Sequence, residues 1–248
     1  MIIRMELLFI GGLGFLMGVI TSISGGAGVF AVPAMLAFGV PPINTLALNR
    51  ISDLGVLAGA IRNYLRVPEF QWRLACIVAV PLFIGAIIGA NFSVSVSTDF
   101  LQWFILAAVF VGIIFLLWPI KPEASTAPVN HWIGIPALLI VGFWSGSVAM
   151  AGATFAVIVL VRMFRQNFLG ARSIHVFAAV PETVITVLIL TYHSTIDWRM
   201  AAVMFVTSLV GAYLGSKLAI KKGSNFIRYA MVAISLVMIA KVAFDLIL

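Results

Sequence analysis

Two arginines, Arg50 and Arg172, each lie close to the start of a long apolar segment. Burying a guanidinium group inside a membrane costs about 3 kcal/mol or more, so an arginine there usually marks a transport pathway or an ion pair. Its planar fork of N–H donors also matches the geometry of an oxyanion. The two arginines therefore predict an anion site. The alternative is structural, with Arg50 paired to Asp53 one turn later or with both side chains reaching the headgroups.

Three acidic or basic side chains in the same segments are candidates for proton coupling. Glu182 falls near the middle of an apolar segment, directly after Pro181. A carboxyl group at that depth suits a carrier that takes up and releases a proton in each cycle, although it could instead bond to backbone freed by a proline kink. His175, one turn beyond Arg172, could relay protons or be only structural. Asp53 is the third candidate.

A glycine-rich stretch, Thr21–Gly28, interrupts the first apolar run and contains Gly25, Gly26 and Gly28. A helix does not continue smoothly through it, because each glycine costs about 1 kcal/mol relative to alanine. Broken backbone inside a membrane is tolerated only where protein or a wet cavity satisfies its polar groups, which favours a substrate site. Close helix packing through small residues is the alternative.

Hydroxyl groups accompany the expected breaks. Ser22 and Ser24 lie in the first one, and Thr154 follows a weaker counterpart in the second half of the chain. Next to N–H groups at the start of a half-helix, these hydroxyls would donate hydrogen bonds to an anion. They could equally bond back to the preceding helical turn.

Composition predicts the class of protein. The chain has 248 residues, of which 63% are hydrophobic and 9% are charged, and apolar runs recur along its whole length. This is typical of a polytopic membrane protein embedded in a lipid bilayer. The net charge of +7 lies mainly in short loops, where basic residues orient helices, so we expect no nucleic-acid partner. Cys76 is the single cysteine, which excludes an internal disulfide and a thiolate metal site.

Ten apolar segments form two sets of five. The first set is Glu6–Ile23, Val29–Phe38, Thr45–Tyr64, Trp72–Phe92 and Phe100–Trp118. The second set is Trp132–Met150, Thr154–Met163, Phe168–His193, Trp198–Leu218 and Phe226–Leu248. The second member of each set spans about half of the hydrocarbon core, so it is predicted to be a short span or a re-entrant helix. We expect a single transmembrane domain over residues 1–248, with repeat 1 at about 5–118, a linker at 119–131 and repeat 2 at about 132–248.

The two sets are copies of one another. Motifs match in the same order: Gly14–Gly18 with Gly142–Gly146, Asn49-Arg50 with Ala171-Arg172, Trp72-Arg73 with Trp198-Arg199, Gly85/Gly89 with Gly211/Gly215, and Asp99-Phe100 with Asn225-Phe226. Five ordered matches at nearly constant spacing indicate an internal repeat. The copies differ at Glu182, whose counterpart is Ala60.

Loop charges predict that the copies have opposite orientations. The basic loop follows the third segment in the first copy (Arg62–Arg73) but the fourth in the second (Lys217–Arg228). Because basic loops stay inside, both termini are expected outside. The predicted fold class is an all-α polytopic membrane protein of two inverted repeats, with short broken or re-entrant helices meeting at the bilayer midplane. Such repeats are typical of secondary transporters.

These motifs resemble the TauE/SafE family of sulfite exporters, also called TSUP, over almost the whole chain. The first half carries Gly25-Gly26-Ala27-Gly28, Pro33, Leu36, Gly39-Val40-Pro41-Pro42, Leu48-Asn49-Arg50 and Gln71-Trp72-Arg73. The second carries Asp197-Trp198-Arg199, but its break is reduced to Ala151-Gly152-Ala153-Thr154 and lacks the following proline. The resemblance implies export or exchange of sulfite, sulfonates or sulfoacetate across a bacterial or archaeal plasma membrane, coupled to protons or to another gradient.

The candidate residues fall into two groups. The predicted substrate-binding residues are Arg50, Arg172, Asn49, Ser22, Ser24, Gly25, Gly26, Gly28, Gly152 and Thr154. The predicted proton-coupling residues are Glu182, His175 and Asp53.

Three classes of function fit these features to different degrees. A secondary anion transporter with alternating access is favoured, and a passive anion channel would share the same features. A membrane-embedded enzyme is least favoured, because the sequence has no His/Glu metal spacing and no nucleophile elbow. The lack of a P-loop argues against direct ATP drive. We therefore expect a small anionic substrate and no catalytic residues, cofactor or metal. A homodimer is compatible with the sequence.

Overall fold

The structure, a computed structural model, describes residues 2–117, 131–227 and 229–230, with side chains for residues 8–108, 132–227 and 229–230. All regular structure in these ranges is helical. By length and composition, three described helices are able to cross a membrane: Trp72–Ser95, Phe168–Tyr192 and Trp198–Lys222. The predicted fold class, an all-α membrane protein, is confirmed.

In the first half of the described chain, five helices follow the predicted order: α1 (Ile2–Ile23), α2 (Gly28–Ala37), α3 (Pro42–Tyr64), α4 (Trp72–Ser95) and α5 (Thr98–Leu117). The short helix α2 has 10 residues, which is about 15 Å of helix. The helix α3 begins earlier than predicted, because proline is well suited to the first helical position.

In the second half, the described helices are α6 (His131–Val148), α7 (Gly152–Met163), α8 (Phe168–Tyr192) and α9 (Trp198–Lys222). The helix α9 is longer than predicted and ends at Lys222, followed by Gly223, whose φ of 78° is favourable for glycine. Nearly all of the predicted linker, and the last predicted segment beyond residue 230, lie outside the described residues.

Two non-helical breaks separate α1 from α2 and α6 from α7, as predicted. In the first, Gly25 has a φ of 88°, a conformation that glycine adopts without a steric penalty. In the second, Ala149 and Ala151 have φ values of 53° and 54°. A residue with a Cβ pays about 1–2 kcal/mol there, so the surrounding contacts must hold this backbone in place.

Glycines bring helices of different halves into close contact. The helix α1 packs along α9, and α6 packs along α4. A Cβ at Gly18 would lie 2.9 Å from the nitrogen of Ala212, and one at Gly89 would lie 2.8 Å from the nitrogen of Ser147. Such backbone approaches require glycine. The Gly-x-x-x-Gly motifs therefore join the two halves at two interfaces.

Polar contacts at the helix ends define the helix directions. Near the end of α3, Nδ2 of Asn63 donates to Oγ of Ser216 in α9 at 2.8 Å. Near its start, Nδ2 of Asn44 donates to the carbonyl of Thr195, between α8 and α9, at 2.9 Å. Hence α3 runs parallel to α9 and antiparallel to α8, its counterpart in the second half. Opposite directions are what an inverted repeat requires, while the topology in the membrane stays a prediction.

Candidate functional site

A small cavity lies where the two breaks meet α3 and α8. Its volume is about 40 Å³. A cavity of that size holds about three water molecules, which suits an anion of few heavy atoms. It is lined by Thr21, Gly25 and Gly28 at the first break, Ser145, Ala149, Met150, Ala151, Gly152 and Ala153 at the second, Arg50, Asp53, Val56 and Leu57 of α3, and Arg172, His175, Ala179, Glu182 and Thr183 of α8.

Arg50 is buried and lies between two carboxylates. Its Nη1 is 3.3 Å from Oδ2 of Asp53 and 4.0 Å from Oε1 of Glu182. Its Nη2 donates to Oγ of Ser145 at 2.8 Å, whereas its Nε has no hydrogen-bond partner among the described residues. The ion pair with Asp53 that we considered as an alternative is therefore present, together with a second carboxylate from the other half of the chain.

Glu182 is buried in the cavity wall, with 2% of its surface exposed. Its Oε1 accepts a hydrogen bond from Oγ of Ser145 at 2.6 Å. Its Oε2 has no partner in the described part of the chain. The bond to backbone freed by Pro181, our structural alternative, is not present. The carboxyl group faces α6 and α3 instead, with one oxygen left for a proton or a solvent molecule.

Arg172 is the second buried guanidinium, with 1% of its surface exposed. Its Nε donates to the carbonyl of Ser22 at 3.2 Å, and its Nη2 donates to the carbonyl of Thr21. Its Nη1 lies 3.2 Å from Nδ1 of His175. Among the described residues it forms no ion pair with a carboxylate. This arginine is thus a buried positive charge with neutral partners.

His175 takes the position in the second half that Asp53 takes in the first, three residues after the arginine. A guanidinium has only donors, so Nη1 of Arg172 donates to Nδ1 of His175. The imidazole is then neutral, with its proton on Nε2. The arginine of the first half thus has an acidic partner within hydrogen-bond distance, and that of the second has a neutral one.

The carbonyl groups at the two breaks are largely occupied by donors of the chain. Each accepts a hydrogen bond from a side chain: Ser22 from Arg172 and Tyr64, Ser24 from Thr154, Ala149 from Asn49, and Met150 from Trp144. Most N–H groups in the first turn of α2 donate to carbonyl groups of the break: those of Val29, Phe30 and Ala31 bond to Gly26 and Ala27. Since Gly28 and Gly152 line the cavity, the positive helix ends are directed to this region.

Eight of the residues singled out in the sequence line the cavity: Arg50, Arg172, Gly25, Gly28, Gly152, Glu182, His175 and Asp53. The other five do not line it: Asn49, Ser22, Ser24, Gly26 and Thr154. The hydroxyl groups of Ser22 and Ser24 bond back to the preceding turn at 2.9 Å and 3.1 Å. These five residues hold the two breaks in place or flank them.

Sequence reasoning missed Ser145, Thr21 and Thr183 on the cavity wall. Ser145 lies inside the repeated motif Gly142–Gly146. The two glycines of this motif indicate close helix packing, but nothing about the serine indicates a functional role. Its importance comes from contacts with Arg50 and Glu182, which are 95 and 37 residues away in the sequence. Only the packing of α6 against α8 and α3 brings these groups together.

The described residues contain no group of three or more His, Cys, Asp or Glu side chains that could hold a metal ion. The two carboxylates of the cavity, Asp53 and Glu182, both lie next to Arg50. Chemically, the site offers hydrogen-bond donors and positive charge to a small anion, and a carboxyl group to a proton.

Three curated relatives are similar over nearly the full chain. "Probable membrane transporter protein YfcA" of Escherichia coli (strain K12) is 29% identical over 235 residues, 93% of this chain and 87% of the relative. "Probable membrane transporter protein" of Haemophilus influenzae is 25% identical over 238 residues, 94% and 92% of the two chains. "Probable membrane transporter protein ORF9" of Sinorhizobium sp is 24% identical over 236 residues, 93% and 90%. No solved structure matches the chain at a significant level.

The family described as "Sulfite exporter TauE/SafE" matches residues 10–242. This range includes both breaks, both arginines and every residue of the cavity wall. The resemblance noted from the motifs is confirmed, and the relatives are named as transporters. The chain is an integral membrane protein that belongs to the sulfite exporter TauE/SafE family.

Proposed function

We propose that the protein is a secondary transporter of small sulfur-containing anions, of the sulfite, sulfonate or sulfoacetate type, coupled to protons. The family description supports the substrate class and the export direction. The anion would bind in the cavity between the two breaks, and the two halves would expose it alternately to each side. The opposite directions of α3 and α8 support this arrangement.

Arg172 carries the proposal. Within the described chain this guanidinium is buried, it contacts two carbonyl groups and an imidazole, and no carboxylate lies within 4.0 Å of it. A buried charge without a directly bound counter-ion costs several kcal/mol. An anion that enters the cavity would supply the missing charge and would accept hydrogen bonds in return.

The polarity of the two breaks favours an anion over a cation. The backbone carbonyl oxygens of Ser22, Ser24, Ala149 and Met150, which could otherwise bind a cation, already accept hydrogen bonds from side chains. The N-terminal ends of α2 and α7 lie at the cavity, where their dipoles attract negative charge. Both breaks therefore favour the same sign of substrate.

Binding to purified protein tests the substrate class. Sulfite, sulfate, thiosulfate and short sulfonates are compared on wild type, Arg50→Gln and Arg172→Gln, with Arg199→Gln, an exposed arginine, as the matched control. We expect each cavity variant to lose about 1.5–3 kcal/mol of binding free energy, the range for hydrogen bonds to charged groups. Thermal unfolding is measured in parallel, since Arg172 also bonds two carbonyl groups. Wild-type affinity in both cavity variants would contradict the anion site.

Flux distinguishes a coupled transporter from a passive channel. Proteoliposomes with an imposed pH gradient are given labelled sulfite at equal concentrations on both sides. A coupled transporter accumulates sulfite on one side. A channel only lets sulfite equilibrate with the membrane potential. That result would show that the protein is a passive anion channel and not a coupled transporter.

A further inference from the structure

The hydroxyl group of Ser145 connects the groups that the proposed function assigns to the anion and to the proton. Its oxygen accepts from Nη2 of Arg50 at 2.8 Å, and its proton is donated to Oε1 of Glu182 at 2.6 Å. The side chain is 4% exposed and lines the cavity. It also adjoins the start of α7, since a Cβ at Gly152 would lie 2.6 Å from the Cβ of Ser145. The hydroxyl therefore stands between the carboxyl group, the guanidinium and a helix N-terminus.

A hydroxyl has a single proton and can donate it to one acceptor at a time. While Glu182 is ionised, its carboxylate is the strongest acceptor near Ser145, because charged acceptors form hydrogen bonds about twice as strong as neutral ones. In that state Arg50 also has two negative neighbours, Asp53 and Glu182. In that state the hydroxyl of Ser145 cannot donate to an entering anion, and the charge of Arg50 is already balanced by its two negative neighbours.

Protonation of Glu182 changes both conditions. The proton adds to Oε2, the oxygen that has no partner among the described residues, and Oε1 becomes a neutral carbonyl oxygen. An anion in the cavity is now the stronger acceptor for the hydroxyl of Ser145, and Arg50 keeps only Asp53 as a negative neighbour. We propose that Ser145 is the positioning residue that turns its proton from Glu182 to the anion, so that one proton and one anion bind together.

Few other charges act on this group. The helix α3 contributes Arg50 and Asp53, and α8 itself contributes Arg172 and His175. The described walls from α1, α6 and α7 contribute no titratable side chain. Glu182 is therefore the carboxyl group whose protonation state directly decides where the hydroxyl of Ser145 donates its proton.

The inference rests on the proposed function and sharpens it by stating that the anion and proton travel in the same direction. A divalent anion accompanied by one proton still carries one net negative charge. A membrane potential that is negative inside then favours its exit. Coupling of this kind is compatible with an exporter.

The test is sulfite binding to the full-length protein by titration calorimetry, repeated in buffers of different ionisation enthalpy, which counts the protons taken up per anion. Four proteins are compared: wild type, Ser145→Ala, Glu182→Gln and the double variant. Ser147→Ala is the matched control, because Ser147 is buried on the same helix but does not line the cavity and donates to the carbonyl of Trp144. The protonation of sulfite itself is equal in all samples and cancels in the differences.

We expect Glu182→Gln, which imitates the protonated state, to bind sulfite at least as tightly as wild type and to take up about one proton fewer. Ser145→Ala should weaken binding at least about tenfold in the Glu182→Gln background, as for the loss of a hydrogen bond to a charged group. In the wild-type background, at a pH alkaline enough to ionise Glu182, the carboxylate would hold the hydroxyl and the loss should be clearly smaller.

Equal losses in both backgrounds with unchanged proton uptake would overturn the role of Ser145. So would tight, proton-linked binding by Ser145→Ala itself. Absence of sulfite binding by wild type would be a different result, because it would refute the proposed substrate and not the coupling through Ser145. Thermal unfolding of each variant shows whether a loss of binding comes from a loss of fold.

Discussion

Nη1 of Arg172 lies 3.2 Å from Nδ1 of His175 on the next turn of α8. At the equivalent place in the first half, an aspartate accompanies the arginine at 3.3 Å. The repeat thus keeps the geometry of the pair and changes the charge of one member. As a result, the two arginines of the cavity are not equivalent: the first has a carboxylate as its close partner and the second has an imidazole.

The first prediction replaces this neutral partner by an acidic one. His175→Asp would rebuild the arginine–aspartate pair of the first half, so the fold should persist while the cavity loses its surplus charge. Anion binding should weaken by about 3 kcal/mol, the Coulomb energy of a unit charge about 6 Å away at an effective dielectric constant of about 20. Equilibrium binding of sulfite measures the effect.

Two variants serve as controls for this substitution. His175→Asn keeps an uncharged acceptor for Arg172 and should bind sulfite nearly as well as wild type. Asp53→Asn removes a negative neighbour of Arg50, so this variant should bind sulfite more tightly than wild type does. If His175→Asp binds sulfite with wild-type affinity, the surplus charge of Arg172 is not what attracts the anion.

A second prediction concerns the contact between the two breaks. A Cβ at Gly28 would lie 2.7 Å from the carbonyl oxygen of Ala149, a backbone atom that cannot move aside easily. Gly28→Ala should therefore separate the breaks, lower stability by about 1–3 kcal/mol and abolish transport. Gly26→Ala is the matched control, because its nearest neighbour, Oγ1 of Thr154, is 3.4 Å away. Unfolding midpoints in detergent and sulfite flux in liposomes should both be lower for Gly28→Ala than for Gly26→Ala. Equal values for the two variants would show that the close approach at Gly28 is not needed for stability or transport.

Much of the fold was predictable because it depends on local pattern. Apolar segment lengths and turn residues gave the helix order, and predicted bounds agree with α1–α9 to within about a turn. The glycine content of Thr21–Gly28 located the first break. The second break was harder to recognise, because Ala149 and Ala151 adopt left-handed backbone without glycine. Tertiary contacts, such as the bond from Asn49 to the carbonyl of Ala149 at 2.6 Å, hold it in that conformation.

The charged residues of the cavity could be singled out because a charge inside an apolar segment is conspicuous. The uncharged residues that contact these charges could not be identified in this way. Nothing in the sequence distinguishes Ser145 from Ser147 on the same helix, yet only Ser145 lines the cavity. Asn49 was predicted to bind the substrate, but its side chain donates to the carbonyl of Ala149 in the second break. The registers of α3, α6 and α8 decide these roles, and a single sequence does not contain them.

The third prediction tests the inverted topology. In a Cys76→Ala background, cysteines at Arg66 and Lys221 should be protected from an impermeant reagent added outside, whereas cysteines at Asp99 and His193 should react. All four positions are exposed on the protein. The bond between Asn63 and Ser216 brings the ends of α3 and α9, which carry the basic loops, to one end of the bundle.

Permeabilised cells provide the control for that labelling, since all four cysteines should then react. Reaction of only one of the two basic positions from outside would contradict an inverted repeat. It would also remove the main argument for alternating access between the two halves.

The last prediction is that Glu182 carries the coupled proton. Its carboxyl group lies 4.0 Å from Arg50 and bonds Ser145, and its second oxygen has no partner among the described residues. Glu182→Gln keeps an oxygen that accepts from Ser145 but cannot lose a proton, so sulfite should still bind and exchange across the membrane while accumulation driven by a pH gradient is lost. Reconstituted flux of labelled sulfite with and without the gradient measures this, with Glu69→Gln outside the cavity as the matched control. A Glu182→Gln protein that still responds to the gradient would exclude this carboxyl group as the coupling site, and the same measurement on Asp53→Asn and His175→Asn would then identify which remaining group carries the proton.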